Sequence, residues 1–175
     1  MKLVRGAYLG SDPRHLIHDT KADTDTAYDG IAKGLLTGQW NSPLKAPTPE
    51  TRHFPRVDVV LASHNRESVI SARHILQQQQ QIGKAPNVAF AQLQGMADEV
   101  SCELVTGENT VEAEKAASKP QVYKYLVWGS TGECMKYLLR RAQENRDAVQ
   151  RTKSGRDAMR AELVRRVKGL FGLSG

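Results

Sequence analysis

Four β-rich runs, each followed by a segment with helical patterning, predict an α/β chain built on a parallel sheet. Strand and helix signals alternate, which calls for right-handed crossovers returning each strand parallel to the last. The runs Val57 to Ser63 and Asn87 to Gln94 are nearly continuous in apolar residues, as in strands covered on both faces. The composition, 39% hydrophobic and 25% charged in 175 residues, suits one ordinary soluble domain with a core of its own.

The strands are expected at Leu3 to Leu9, Val57 to Ser63, Asn87 to Gln94 and Gln121 to Trp128. Helices are expected at Thr24 to Thr37, Arg66 to Ile82, Met96 to Thr106, and Thr131 to about Lys153. Ser130 and Glu133 are spaced as a capping box at the start of the last of these. Residues 38 to 55, with Pro43, Pro47, Pro49 and Pro55, read as an extended surface excursion, and Gly107 to Pro120 as a polar loop or partial helix. Beyond Ser154-Gly155, residues 156–173 form a basic amphipathic helix carrying Leu163, Val164, Val167, Leu170 and Phe171. Packing on its own domain is the favoured use of that helix, and a membrane surface the alternative.

No stretch of 18 apolar residues is available for a membrane-spanning helix. The net charge of +6 comes mostly from the C-terminal third. No aromatic platform accompanies that charge, which argues against nucleic acid as a partner. Cys102 and Cys134 form no C-x-x-C pair and are expected to be free, mostly buried thiols. The first residues are already strand-like, so the chain is expected to begin inside a fold, with no targeting segment.

The chemistry concentrates in Tyr137-Leu138-Leu139-Arg140-Arg141-Ala142-Gln143-Glu144. Tyr137, Arg140, Arg141 and Glu144 follow the i, i+3, i+4, i+7 pattern and share one helical face. Adjacent guanidiniums repel, so the pair makes sense where a small carboxylate or phosphate sits between them, with Glu144 neutralising one. A solvated arginine pair on a surface helix is the plain alternative at this point. Unusual groups fall where strands end, the place where parallel α/β folds carry their chemistry: Arg5-Gly6-Ala7-Tyr8, Ser63-His64-Asn65, Gln92-Leu93-Gln94-Gly95, and Tyr125 to Gly129. Each alone has a dull explanation, His64 as a satisfied turn residue and Gly6 as a packing glycine. No G-x-G-x-x-G, H-E-x-x-H, cysteine–histidine grouping or G-x-S-x-G is present, so no Rossmann-type site, metal or nucleophile elbow is indicated.

The strings KLVRGAYL (2–9), LASHN (61–65), QLQGMADEVS (92–101), VYKYLVWG (122–129) and YLLRRAQEN (137–145) together resemble the successive strand-end motifs of proline dehydrogenase, the flavin enzyme of proline catabolism. They occur in the family's order over nearly the whole chain. The resemblance is to the second half of the family's (βα)8 TIM-type barrel, units five to eight plus the final helix, in residues 1–153. It implies FAD as cofactor, with Arg5, Gly6, Ala7, Ser63 and His64 touching it and Lys21 approaching it. It implies a substrate site in which Arg140 and Arg141 grip the proline carboxylate and Glu144 braces them. Tyr137, Tyr125, Leu93 and Tyr8 would line the ring.

The implied reaction is hydride transfer from proline C5 to flavin N5, giving Δ1-pyrroline-5-carboxylate, with electrons passed on to a quinone. The eukaryotic members that the strings resemble are mitochondrial, on the matrix side of the inner membrane, which makes peripheral membrane association an expectation. The family's first four units have no counterpart here, so the chain is expected to be an incomplete barrel. It would then need a missing N-terminal half or a second copy, or else be an inactive half-barrel serving as an assembly partner. Val127-Trp128 stands where many members carry a proline followed by an aromatic residue.

Overall fold

A computed structural model describes residues 1–6, 12–106, 120–145 and 152–170. The chain forms two compact units, Met1–Tyr125 and Leu126–Gly175. In the first, β1 (Lys2–Val4) leads through a 3-10 turn (Arg14–Leu16) to α1 (Lys21–Thr37). Then come β2 (Val59–Ala62), α2 (Arg66–Gln81), β3 (Val88–Leu93), α3 (Asp98–Thr106) and β4 (Gln121–Tyr125). The second unit holds α4 (Thr131–Asn145) and α5 (Thr152–Leu170).

The four strands form one sheet in the order β1-β2-β3-β4, and every adjacent pair is parallel. Leu3, Leu61, Phe90 and Val122 are in register across it. Side chains alternate between sheet faces, so these four share one face with Val59 and Val88. That face meets Ala32, Leu35 and Leu36 of α1, Val69, Ala72 and Leu76 of α2, and Val100 and Leu104 of α3 in a single core, with Leu3 and Val122 packed at its border. Three helices therefore lie on one side of the sheet. The opposite parity, Val4, Val60, Ala62, Ala89, Ala91, Leu93, Tyr123 and Tyr125, contributes one buried residue, Ala89, and Tyr123 and Tyr125 are more than half exposed. The strands are covered by helices on one face of the sheet in this unit, where the apolar runs had suggested two.

Local chemistry explains where element ends differ from expectation. The Thr20 hydroxyl accepts a hydrogen bond from Asp23 N and starts α1 at Lys21. At α2 the Asn65 side chain accepts from Ser68 N and caps the helix where expected. Gly95 and Ala97 both have positive φ, which delays α3 to Asp98. β1 ends at Val4 as Gly6 turns with φ 68°, and Ala7 and Tyr8 lie outside the described residues. β4 stops at Tyr125. Ser154 and Gly155, expected as a break, are helical within α5.

The proline-rich segment is less of an excursion than its composition suggests. Asn41 Nδ2 donates to Gly30 O (2.7 Å), Leu44 and Phe54 border the core, and Trp40 packs tilted at 49° against Phe54 with ring centroids 4.6 Å apart. The basic segment is helical over Thr152–Leu170 as α5. Leu163, Val164 and Val167 are 44–62% exposed among the described residues. Arg156 and Arg166 fall on the same helical stripe as Met159, Leu163 and Val167, which leaves no clean apolar face to bury. The thiols are free, but Cys102 is exposed and Cys134 half-buried, where mostly buried thiols were expected.

Candidate functional site

Register brings the strand ends of the first unit onto one edge. Arg5 and Gly6 follow β1, Ser63 and His64 follow β2, and Leu93 and Tyr125 close β3 and β4 as direct register partners. Backbone bonds carry the ladder past the strand ends: Arg5 N donates to Ala62 O (2.9 Å), Ser63 N to Ala91 O (3.3 Å) and Gln94 N to Tyr125 O (3.1 Å). The sequence-expected residues Arg5, Gly6, Ser63, His64, Leu93 and Tyr125 are thus neighbours along one rim.

The side chains at this rim have distinct duties. Leu93 N donates to His64 Nε2 (3.1 Å), which makes Nε2 the acceptor nitrogen of that imidazole. The Ser63 hydroxyl, almost fully buried, accepts from Asn65 N (3.0 Å). Arg5 shares the parity of Leu3, the helix-covered side, and its guanidinium pairs with Asp25 of α1. What Arg5 presents along the rim itself is backbone. Lys21 Nζ bonds the other Asp25 oxygen (2.7 Å) and lies 3.6 Å from Glu67. The Lys21 hydrogen bond holds the Asp25 carboxyl below its ordinary range, with Arg5 adding to the effect against the cost of burial. Among the described residues, and chain neighbours aside, Gly6 and Gly95 have no heavy atom within 4 Å of where a Cβ would stand, so these residues leave the backbone open to approach at both turns.

Sequence reasoning missed Asp25, Lys124 and Asp98. The Lys21–Asp25 spacing is a legible i, i+4 pair. The Arg5–Asp25 pairing and the Lys124–Asp98 ion pair (2.6 Å) are tertiary and left no local signal.

The second unit holds the other half of the expected residues. Ser130 N and Oγ both donate to Glu133 Oε2 (3.0 and 2.7 Å), one arm of the expected capping box. One turn apart on α4, the Arg141 guanidinium lies 5.6 Å from the Tyr137 ring centroid, a cation–π geometry that holds the fork on the ring. The side chains of Arg140 and Glu144 lie outside the described residues, although both are helical in α4. Among the described residues no group of His, Cys, Asp and Glu could hold a metal.

A rim of polar and small residues on a sequential parallel sheet fits many enzymes, and comparison with known proteins narrows the choice. The sequence profile of the proline dehydrogenase family matches residues 1–154. The chain belongs to the proline dehydrogenase family. Among curated members, it is 33% identical over 170 residues to a probable mitochondrial proline dehydrogenase of Schizosaccharomyces pombe, covering 95% of this chain and 34% of the relative. It is 32% identical to a hydroxyproline dehydrogenase of Xenopus laevis (95% of this chain, 33% of the relative). It is also 32% identical to mitochondrial proline dehydrogenase 1 of Homo sapiens (95% and 25%). The chain spans about a third or less of the length of these family members. No solved structure matches it.

Proposed function

We propose that this chain carries the second half, residues 1–153, of a (βα)8 proline dehydrogenase barrel. The reaction is oxidation of L-proline to Δ1-pyrroline-5-carboxylate, with FAD as cofactor and a quinone as final electron acceptor. The setting is the mitochondrion, in keeping with the names of the S. pombe and human relatives, and within it the matrix side of the inner membrane. One observation carries the reading: in a chain of this family, five motif-bearing positions, Gly6, Ser63, His64, Leu93 and Tyr125, fall together on the C-terminal rim of the sheet. Sequential strand order with helices on a single face supports a barrel segment over a doubly wound sheet.

The rim fits a flat, polar cofactor. Gly6 and Gly95 leave its backbone uncrowded, and His64 and Ser63 supply polar atoms beside it. FAD, when bound, supplies the hydride acceptor. In this reading the chain's own residues hold and orient. Gly6 and Ala7, with the backbone of Arg5, and the Ser63–His64 turn hold the cofactor. Leu93, Tyr125 and Tyr8 line the proline ring. Arg140 and Arg141 of α4 grip the carboxylate, Tyr137 stacks behind Arg141, and Glu144 braces the pair. Fixing the carboxylate orients the ring, and orientation lowers the barrier by prepaying entropy.

The test is the absorbance of the flavin-loaded protein given proline without oxygen. Bleaching of the oxidised flavin band is expected. Arg141→Met should lower kcat/KM about 30-fold to 1000-fold, the cost of about 2 to 4 kcal/mol for a charged partner left unpaired, and Arg140→Met should do likewise. Bound flavin with no bleaching under any proline concentration sinks the reading. A second reading is an inactive half-barrel that serves as an assembly partner. It is favoured by the short share of each relative that the chain spans. Absence of bound flavin in the isolated chain, restored by a complementary half without bleaching, would favour it.

A further inference from the structure

Lys124 sits in β4 between two tyrosines, yet it serves the opposite side of the sheet. Alternation places Tyr123 and Tyr125 on the helix-free face and Lys124 with Val122 on the covered one. Its ammonium reaches the turn after β3, donating to Met96 O (2.9 Å) and pairing with Asp98 Oδ1 (2.6 Å) at the start of α3. The side chain is 28% exposed, so it is not a freely solvated lysine.

The turn it reaches is a demanding one. Met96 N donates to Leu93 O (3.1 Å) across Gln94 and Gly95, with Gly95 at φ 72° as a type II turn requires. Ala97 follows at φ 50°, the left-handed region that L residues avoid, with its methyl packed against the core. Such a conformation persists where its surroundings hold it. Two tethers cross from β4 to this turn: the Gln94 N to Tyr125 O bond and the Lys124 ammonium. Residues 93 and 125, the register partners at the rim, are the ones these tethers hold together.

We propose that Lys124 is a positioning residue: by clamping the Leu93–Asp98 turn onto β4, it sets the separation of Leu93 and Tyr125 and so the fit of the substrate ring between them. The inference rests on the ring-lining roles given to Leu93 and Tyr125 above. A charge-assisted bond to a backbone carbonyl is strong enough to matter here, and a neutral side chain of the same length cannot replace it. Arginine can reach the same carbonyl and carboxylate.

Two readouts test it. In the 175-residue chain, hydrogen exchange at the amides of Gln94 and Met96 should rise about tenfold in Lys124→Met and return to within about threefold in Lys124→Arg. The amides of Leu61 and Phe90 in the sheet interior should not change. In the flavin-loaded protein, Lys124→Met should raise KM for proline about tenfold with kcat within about twofold, and Lys124→Arg should restore it. Unchanged exchange in Lys124→Met overturns the proposal, as does a fall in kcat at constant KM. Should the unsubstituted protein fail to oxidise proline at all, the assigned function fails, and the exchange measurement alone decides the clamp.

Discussion

The carboxylate of Asp25 takes the Arg5 guanidinium on one oxygen and the Lys21 ammonium on the other, which fastens the end of β1 to the first turns of α1. Its pKa is depressed, so the stabilisation is complete above the ordinary carboxyl value of 3.8 and is lost as pH falls through the lower folded-state value. Asp25→Asn should cost about 1 kcal/mol at pH 7 by denaturant unfolding. The difference between the two proteins should persist to about pH 5, shrink below that, and vanish beneath the folded-state pKa. A difference that grows on acidification contradicts this sign. Tyr125 sets a second expectation at the same scale. Its ring is more than half exposed on the helix-free face, where the proposed site has it line the proline ring, so a smaller side chain there would leave room for a substituent on that ring. Tyr125→Ser should therefore shift kcat/KM toward 4-hydroxyproline over proline by roughly tenfold, measured as a ratio in one preparation.

At the scale of elements, α1 and the segment after it were legible unequally. Thr20 and Asn65, N-caps with a polar oxygen ahead of an apolar helical period, are local signals, and α2 begins where expected. Strand existence was equally plain from Val59 to Ala62 and Val88 to Leu93. The burial of Leu44 and Phe54 was not legible, because four prolines mark a break in regular structure without saying what it packs against. Pro43 lies directly on Gly30 of α1. A Cβ at Gly30 would stand 2.6 Å from Pro43 Cγ, closer than real Cβ contacts come. Gly30→Ala, ordinarily a gain for a helix, should instead destabilise the first unit by about 1 to 3 kcal/mol in urea unfolding, since the loop must shift to admit the methyl. The candidate site divides the same way. His64, Leu93 and Tyr125 stand at strand ends, which are readable from sequence, whereas the contacts of Lys124 and the Arg5–Asp25 pairing are created only by the tertiary fold.

For the whole molecule, the decisive feature is that the sheet of the first unit is covered by that unit's helices on one face among the described residues. Val4, Val60, Ala62, Ala91 and Leu93 are partly or largely exposed on the other, and β1 and β4 each have a single strand neighbour among the described residues. Unpaired parallel edges and an apolar face invite association. A further set of parallel strands continuing the order would pair both edges and cover the face at once, which is how a closed barrel removes its edges. The isolated 175-residue chain should therefore bind an apolar dye such as ANS and show concentration-dependent mass by light scattering. Co-expression with a complementary four-unit segment should abolish dye binding, give a single defined mass, and retain flavin through gel filtration. Dye binding that survives co-expression would mean that this face is not the inside of a barrel. The effect on flavin separates two causes, since an edge closed by self-association alone would lose the dye signal without gaining the cofactor.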